Sequence, residues 1–281
     1  MPRQPAMIVI KSILVHADAS PSFAARLDVA RRLAEQCDAV VTAAFAVTPQ
    51  PLHYLTSLNA PEIALRMEQF DNERRARARA TFEHSLARSM LRLDWVELGA
   101  DPVRAFSQAA LYADLLVLGQ QEPKDQPNDV PPEFVKSVLI ESGRPALVVP
   151  YIGLPSTLGE TVLVAWQEAP ESAHALAAAW PLLRAAAAVH VAVWSDREAG
   201  PGEAATRIEA CLRAHGIAAK IHREDSEPRE LGDRLLSLAA ELGADLLVMG
   251  CDGYSRPREW VLGSATRTVL DSMTVPVLLA H

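Results

Sequence analysis

Seven residues occur twice in this chain. Ala113-Asp114-Leu115-Leu116-Val117-Leu118-Gly119 and Ala244-Asp245-Leu246-Leu247-Val248-Met249-Gly250 agree at six of seven positions. A proline stands 32 residues beyond each leading alanine, Pro145 in one case and Pro276 in the other, and another apolar run follows it. A repeat at this spacing means that one domain plan is used twice. The 281 residues suffice for two domains of ordinary size. The repeated segment also names the kind of domain. A short, continuous apolar run ending in glycine reads as a strand buried on both faces, as in a parallel sheet covered by helices.

The rest of each half fits that plan. In the first, a strand ends near Asp18, and Ser20-Pro21 opens a helix with Phe23, Leu27, Ala30, Leu33 and Ala34 on one face. Strands follow at Ala39 to Val47, Leu93 to Leu98 and Ala113 to Gly119, and the half closes on Ala146 to Val149. Helices are read from about Pro61 to Leu91, from Pro102 to Tyr112, and after the Pro-rich loop Gln120 to Pro132. Tyr151 to Glu160, with its Gly, Pro, Ser and Thr, is a linker by composition. The pattern then restarts, with strands at Val162 to Gln167, Val189 to Trp194, Ile217 to His222, Leu246 to Met249 and Val275 to Ala280. The intervening helices follow Pro170, span Glu203 to Ala214 and Pro228 to Leu242, and follow Gly263. Alternating strands and helices give an α/β protein of two tandem doubly wound parallel-sheet domains, Rossmann-like, over residues 1–152 and 158–281. The two closing strands read as sheet edges that pairing between the halves would bury, making an intramolecular pseudo-dimer; a homodimer is a further arrangement left open.

Composition excludes several classes. The net charge of −8 argues against nucleic acid or an anionic membrane as the main partner. The basic segment Glu73 to Arg79 reads as a solvated helix face, because no aromatic platform accompanies it. Cys37, Cys211 and Cys251 are odd in number and far apart, which indicates a reduced, cytoplasmic protein. Met7 to Ile10, broken by Lys11, is too short for the apolar part of a signal peptide. Ala173 to Val193 is interrupted by Pro181, Arg184 and His190, so no membrane span is expected.

The chemistry concentrates after the second copy of the repeat. Gly250 and Gly253 let the chain leave its strand through a loop whose backbone can approach a ligand. Nine residues on come Gly263 and Ser264, either of which can cap the helix that carries Ala265, Thr266, Val269 and Leu270. Free N–H groups at a helix start, with hydroxyls on Ser264 and Thr266, suit a phosphate. Asp252 reads as loop-shaping, and Arg256 and Arg258 as either phosphate neutralisers or solvated charges.

This G-x2-G-x9-G-S run resembles the signature of the universal stress protein family, in its ATP-binding subclass, and the likeness extends over nearly the whole chain as a tandem pair. It fits least well near residues 49 to 91. The resemblance implies a fold of the adenine nucleotide alpha hydrolase type, with ATP, alone or with Mg2+, held in the C-terminal domain. The implied roles are phosphate contacts from the backbone of Gly250, Gly253, Ala265 and Thr266, beside Gly263 and the Ser264 hydroxyl. It also implies an acid at the end of the first strand that contacts adenine. That position is Asp18 in the first half but Gln167 in the second, beside Trp166. Gln167 is therefore the expected base contact, since its amide both donates and accepts. Backbone groups near Val193-Trp194 are an alternative.

Position by position, the first half has lost the cradle. Gly119 matches Gly250, but Glu122 stands for Gly253, Pro132 for Gly263 and Glu133 for Ser264. Two carboxylates where phosphates would lie oppose binding, so the N-terminal half is expected to be silent. No Walker, zinc-protease, nucleophile-elbow or dinucleotide fingerprint occurs, and the eight histidines show no metal-ligand spacing. No catalytic or metal site is expected. Slow ATP hydrolysis stays open, and the alternative is an interaction module of the same fold that binds no nucleotide.

Overall fold

A computed structural model of the chain describes residues 10–49, 61–87, 91–99, 101–122, 129–194, 201–224, 230–251 and 264–281. It divides into two compact units, Lys11–Ser142 and one built mainly from Gly143–His281. All ten strands and eight helices expected from the sequence are found among the described residues. No helix among them is long and apolar enough to cross a membrane.

The first unit runs β1 (Ser12–Ala17), α1 (Phe23–Cys37), β2 (Val40–Phe45), α2 (Pro61–Leu86), β3 (Leu93–Glu97), α3 (Pro102–Ala110), β4 (Leu115–Gly119) and α4 (Phe134–Ser142). Its strands lie in the order β3-β2-β1-β4, all parallel. Local signals set the boundaries. Asp101 caps α3 by accepting the Arg104 N–H at 3.1 Å, with Pro102 at the first helical position. Helix α1 ends on Asp38 in the left-handed conformation, at φ 53°. Helix α2 stops at Leu86 rather than near Leu91, as the sequence suggested.

The second unit runs β5 (Ala146–Val149), β6 (Thr161–Trp166), α5 (Pro170–Ala185), β7 (Ala188–Val193), α6 (Pro201–Ala214), β8 (Ala219–Arg223), α7 (Leu231–Leu242), β9 (Leu246–Gly250), α8 (Ser264–Ser272) and β10 (Val277–Ala280). The strand order is β5-β10-β9-β6-β7-β8. Every neighbour pair is parallel except β5 with β10, where Val148 faces Val277 and Ala146 faces Leu279 in an antiparallel ladder. Strand β5 ends the first repeat in sequence, yet it is built into the sheet of the second unit. Both strands of that ladder are fully buried. Each buried leucine or valine there contributes about 1.5–3 kcal/mol.

The repeated Asp of the duplicated segment has the same task in both units. Asp114 Oδ2 accepts the Lys11 N–H, the Ser12 N–H and the Ser12 hydroxyl, each at 2.9 Å. Asp245 accepts the Thr161 N–H at 3.0 Å and the Glu160 N–H at 3.1 Å. One carboxylate before β4 or β9 thus satisfies the N–H groups that open the neighbouring β1 or β6. This holds the two central strands of each unit in register. In both, the connections run in opposite directions from these strands, so the sheet opens at their carboxyl ends, where α/β folds place ligands.

Candidate functional site

The two openings correspond residue for residue. Ala17, at the end of β1, matches Trp166 at the end of β6, and Pro21 falls in step with Pro170. Asp18 matches Gln167, Arg26 matches Ala175 and Gly119 matches Gly250. The next strand agrees: Ala46 N–H donates to the Ala17 carbonyl at 3.2 Å, and Trp194 N–H donates to the Trp166 carbonyl at 3.2 Å. The halves have one backbone plan and opposite chemistry.

In the first unit the opening is filled by charge. Arg26 is buried; its Nη2 donates to Asp18 Oδ1 at 2.5 Å and its Nε donates to the His16 carbonyl at 3.0 Å. The guanidinium lies over Gly119, and a Cβ there would collide with Arg26 Nη1. Gly119, which survives from the glycine pattern, therefore makes room for the protein's own side chain. Asp18 also accepts the Ser20 N–H at 3.0 Å and the Ser20 hydroxyl at 2.5 Å. Burial pushes the Asp18 carboxyl up, but Arg26, His16 and Ser20 outweigh it and hold it below its ordinary value. His16 is pushed down, mainly by burial; its Nε2 lies 2.8 Å from the Ala46 carbonyl. That contact makes Nε2 the protonated nitrogen of a neutral ring.

A second buried guanidinium is tied to the opening through Asp129, which lines it. Arg74 of α2 donates to Asp71 at 2.9 Å and to the Thr48 carbonyl at 3.1 Å, and it pairs with Asp129 at 2.6 Å. Asp129 in turn accepts the Ala19 N–H at 2.9 Å. The remaining cavity, of about 50 Å³, has room for a few waters. Asp18, at the position where the resemblance implies an adenine contact, is thus consumed internally, a feature that the cradle pattern did not signal. Setting Arg26 against Ala175 in the two repeats is the comparison that would have found it.

In the second unit the opening is neutral and aromatic. Trp166, Gln167, Trp194, Leu235, Met249 and Gly250 are among the residues lining a cleft of about 30 Å³. Gln167 is exposed at its mouth, and its carbonyl accepts the Ala169 N–H at 2.8 Å. Gly250 is required by packing. A Cβ there would stand 2.6 Å from Ser172 N and 2.8 Å from the Glu171 carbonyl carbon, in the first turn of α5. The close approach expected at Gly250 is therefore made by the protein's own helix. Ser264, Ala265 and Thr266 form the first turn of α8, and Ala265 lines the cleft. Thr266 is fully buried, yet its Oγ1 finds no hydrogen-bond partner among the described residues; nor does the buried Trp166 Nε1. Gly253 and Gly263 lie outside the described residues, as do Asp252, Arg256 and Arg258. The structure therefore brings Gln167, Gly250 and Ala265 to one cleft, with Ser264 and Thr266 flanking Ala265 in the same helical turn.

Two doubly wound α/β units, each opening at the carboxyl ends of its central strands, define a tandem Rossmann-like protein. Residues 160–281 match the family model "Universal stress protein family". The fold agrees over almost the full length. A universal stress protein from Archaeoglobus fulgidus DSM 4304 superposes with a TM-score of 0.70 at 18% identity, covering 96% of this chain and 97% of that one. A putative universal stress protein from Pseudomonas aeruginosa UCBPP-PA14 gives 0.59 at 14% identity, covering 96% and 93%. The cytoplasmic domain of a prokaryotic cation chloride cotransporter gives 0.54 at 12% identity, covering 97% and 95%. At these identities the likeness is one of fold, and a shared fold does not fix function. No curated protein matches the sequence.

Proposed function

We propose that the C-terminal unit binds ATP, or a related adenine nucleotide, at the opening of its sheet, and that the N-terminal unit does not. The observation that carries this reading is the buried Trp166 Nε1, which has no hydrogen-bond partner among the described residues although Trp166 lines that opening. Buried polar groups in native proteins are nearly always paired, and leaving one unpaired costs about 1–3 kcal/mol. A ligand bound in the cleft supplies the missing partner. The helix dipole of α8 favours an anion at its first turn.

In this reading the backbone of Gly250, Gly253, Ala265 and Thr266, with Gly263 and the Ser264 hydroxyl, holds the phosphates, with Mg2+ arriving on the nucleotide. Gln167 contacts the base. Binding orders the Gly250 to Gly263 loop and signals to a partner in the cytoplasm. In this reading the site acts by binding, and slow ATP hydrolysis would show as turnover that vanishes in S264A.

One observation favours a second reading, an interaction module without nucleotide. The cleft formed by the described residues is small, about 30 Å³. Calorimetric titration with ATP and Mg2+ separates the two, run beside G253E/S264E, which copies into the second half the residues of the first. Saturable binding at one site per chain, lost in the variant, supports the nucleotide reading. No heat from nucleotide-free protein leaves the interaction module.

A further inference from the structure

Two histidines that the sequence leaves 32 residues apart meet at the edge of the second unit. His190 lies on β7 and His222 on the outermost strand, β8. In the β7–β8 register His190 stands opposite Lys220, so His222 is its diagonal neighbour on the same face of the sheet. Nδ1 of His190 and Nε2 of His222 are 2.9 Å apart, with ring centroids at 5.2 Å and planes tilted by 31°. Both rings are half-buried, which leaves solvent on one side.

The electrostatics keep the pair neutral. Burial lowers the pKa of His190, and His222 and Lys220 lower it further. Burial and Lys220 lower that of His222, opposed by Glu224. Two neutral imidazoles in this arrangement share one proton. The nearest carboxylate along β8, Glu224, is two residues beyond His222 and therefore on the same face. It is held by Arg234 in a fork at 2.8 and 3.2 Å. No cluster of three His, Cys, Asp or Glu occurs among the described residues, so protein supplies two ligands and water the rest.

We propose that His190 and His222 form a two-histidine site for a divalent transition metal of the zinc, nickel and copper class. Neutral imidazole nitrogen is the preferred ligand of these ions. Metal–nitrogen bonds of about 2.0–2.1 Å at a tetrahedral angle separate the nitrogens by about 3.3 Å, a small widening of the present contact. Binding needs a tautomer change in the donor ring, which moves its hydrogen to the outer nitrogen, and a rotation of the two rings that turns both lone pairs toward the metal. The site is independent of the nucleotide cleft. Spacing along the chain concealed it, because the strand pairing, and not the local sequence, joins its two halves.

The test is calorimetric titration of untagged, chelator-treated protein with NiCl2, with H190Q and H222Q alongside. One ion per chain is expected, with affinity at least tenfold weaker in either variant and unchanged in H174Q. Binding that survives both variants, or no binding by the wild type, overturns the proposal. A second measurement needs no variant. Electron paramagnetic resonance of the protein with one equivalent of Cu2+ should show splitting from two imidazole nitrogens; splitting from one or none overturns it equally.

Discussion

Arg26 and Asp18 form an ion pair at 2.5 Å in the place where the second unit has Ala175 and Gln167. Both side chains are almost wholly inaccessible to water. Removing one partner strands the other, and breaking a buried pair costs about 3–5 kcal/mol. R26A should therefore destabilise the first unit by about that amount, read from urea unfolding followed by circular dichroism. R26A/D18N, which removes the stranded charge, should recover more than about 1 kcal/mol of the loss. Equal stability of the single and double variants would count against the pair.

Glycines at the two openings should respond unequally. At Gly250 a methyl group meets the backbone of α5, which cannot move without shifting a helix. At Gly119 it meets the end of one side chain, Arg26. Overpacking costs about 1–3 kcal/mol, so G250A should fall at the upper end or beyond, and G119A below it. Urea midpoints of the two variants give the order directly.

Acid should weaken the first unit in two stages. His16 has a folded pKa below 6.5, so between that value and 6.5 the unfolded chain binds a proton that the folded chain refuses. Stability therefore falls as pH drops below about 6.5. Asp18 has a folded pKa below 3.8, so its contribution is present above 3.8 and is lost as pH falls further. H16Q should flatten the first stage and leave the second. A urea series from pH 7 to 3 tests both, and an unchanged slope in H16Q would refute the assignment.

Thiol reactivity should follow burial. Cys211 is exposed, Cys37 is half-buried with its pKa raised by burial, and Cys251 is buried. A thiol-directed reagent on native protein should label Cys211 first, Cys37 more slowly and Cys251 only as the protein unfolds. Mass spectrometry of the labelled peptides gives the order. Rapid labelling of Cys251 would show that the residue after Gly250 is open to solvent.

Much of this architecture was legible in the residues. The two copies of Ala-Asp-Leu-Leu-Val carry buried-strand hydrophobicity and, in Asp114 and Asp245, the carboxylate that ties each central strand to its neighbour. Local chemistry of that kind writes itself into sequence. The plug at Asp18 did not, because Arg26 reads as one more polar residue of an amphipathic helix until the fold aims it back over Gly119. The His190–His222 contact was hidden for the same reason. Gly250 was recognised as a position of close backbone approach, but the partner proved to be Ser172 and Glu171, which no spacing rule reveals.

The antiparallel β5–β10 ladder has a consequence for how such a chain can be divided. The boundary between the repeats in sequence is not a boundary in space. A fragment starting after the linker would keep the whole second repeat and still lack the strand that covers Val277 to Ala280. It would present a bare, fully apolar edge, and such edges recruit other strands. A fragment starting at Gly143 carries its own cover. Duplication has thus made the second copy dependent on the last few residues of the first, so that the first half cannot be shed without repairing the second.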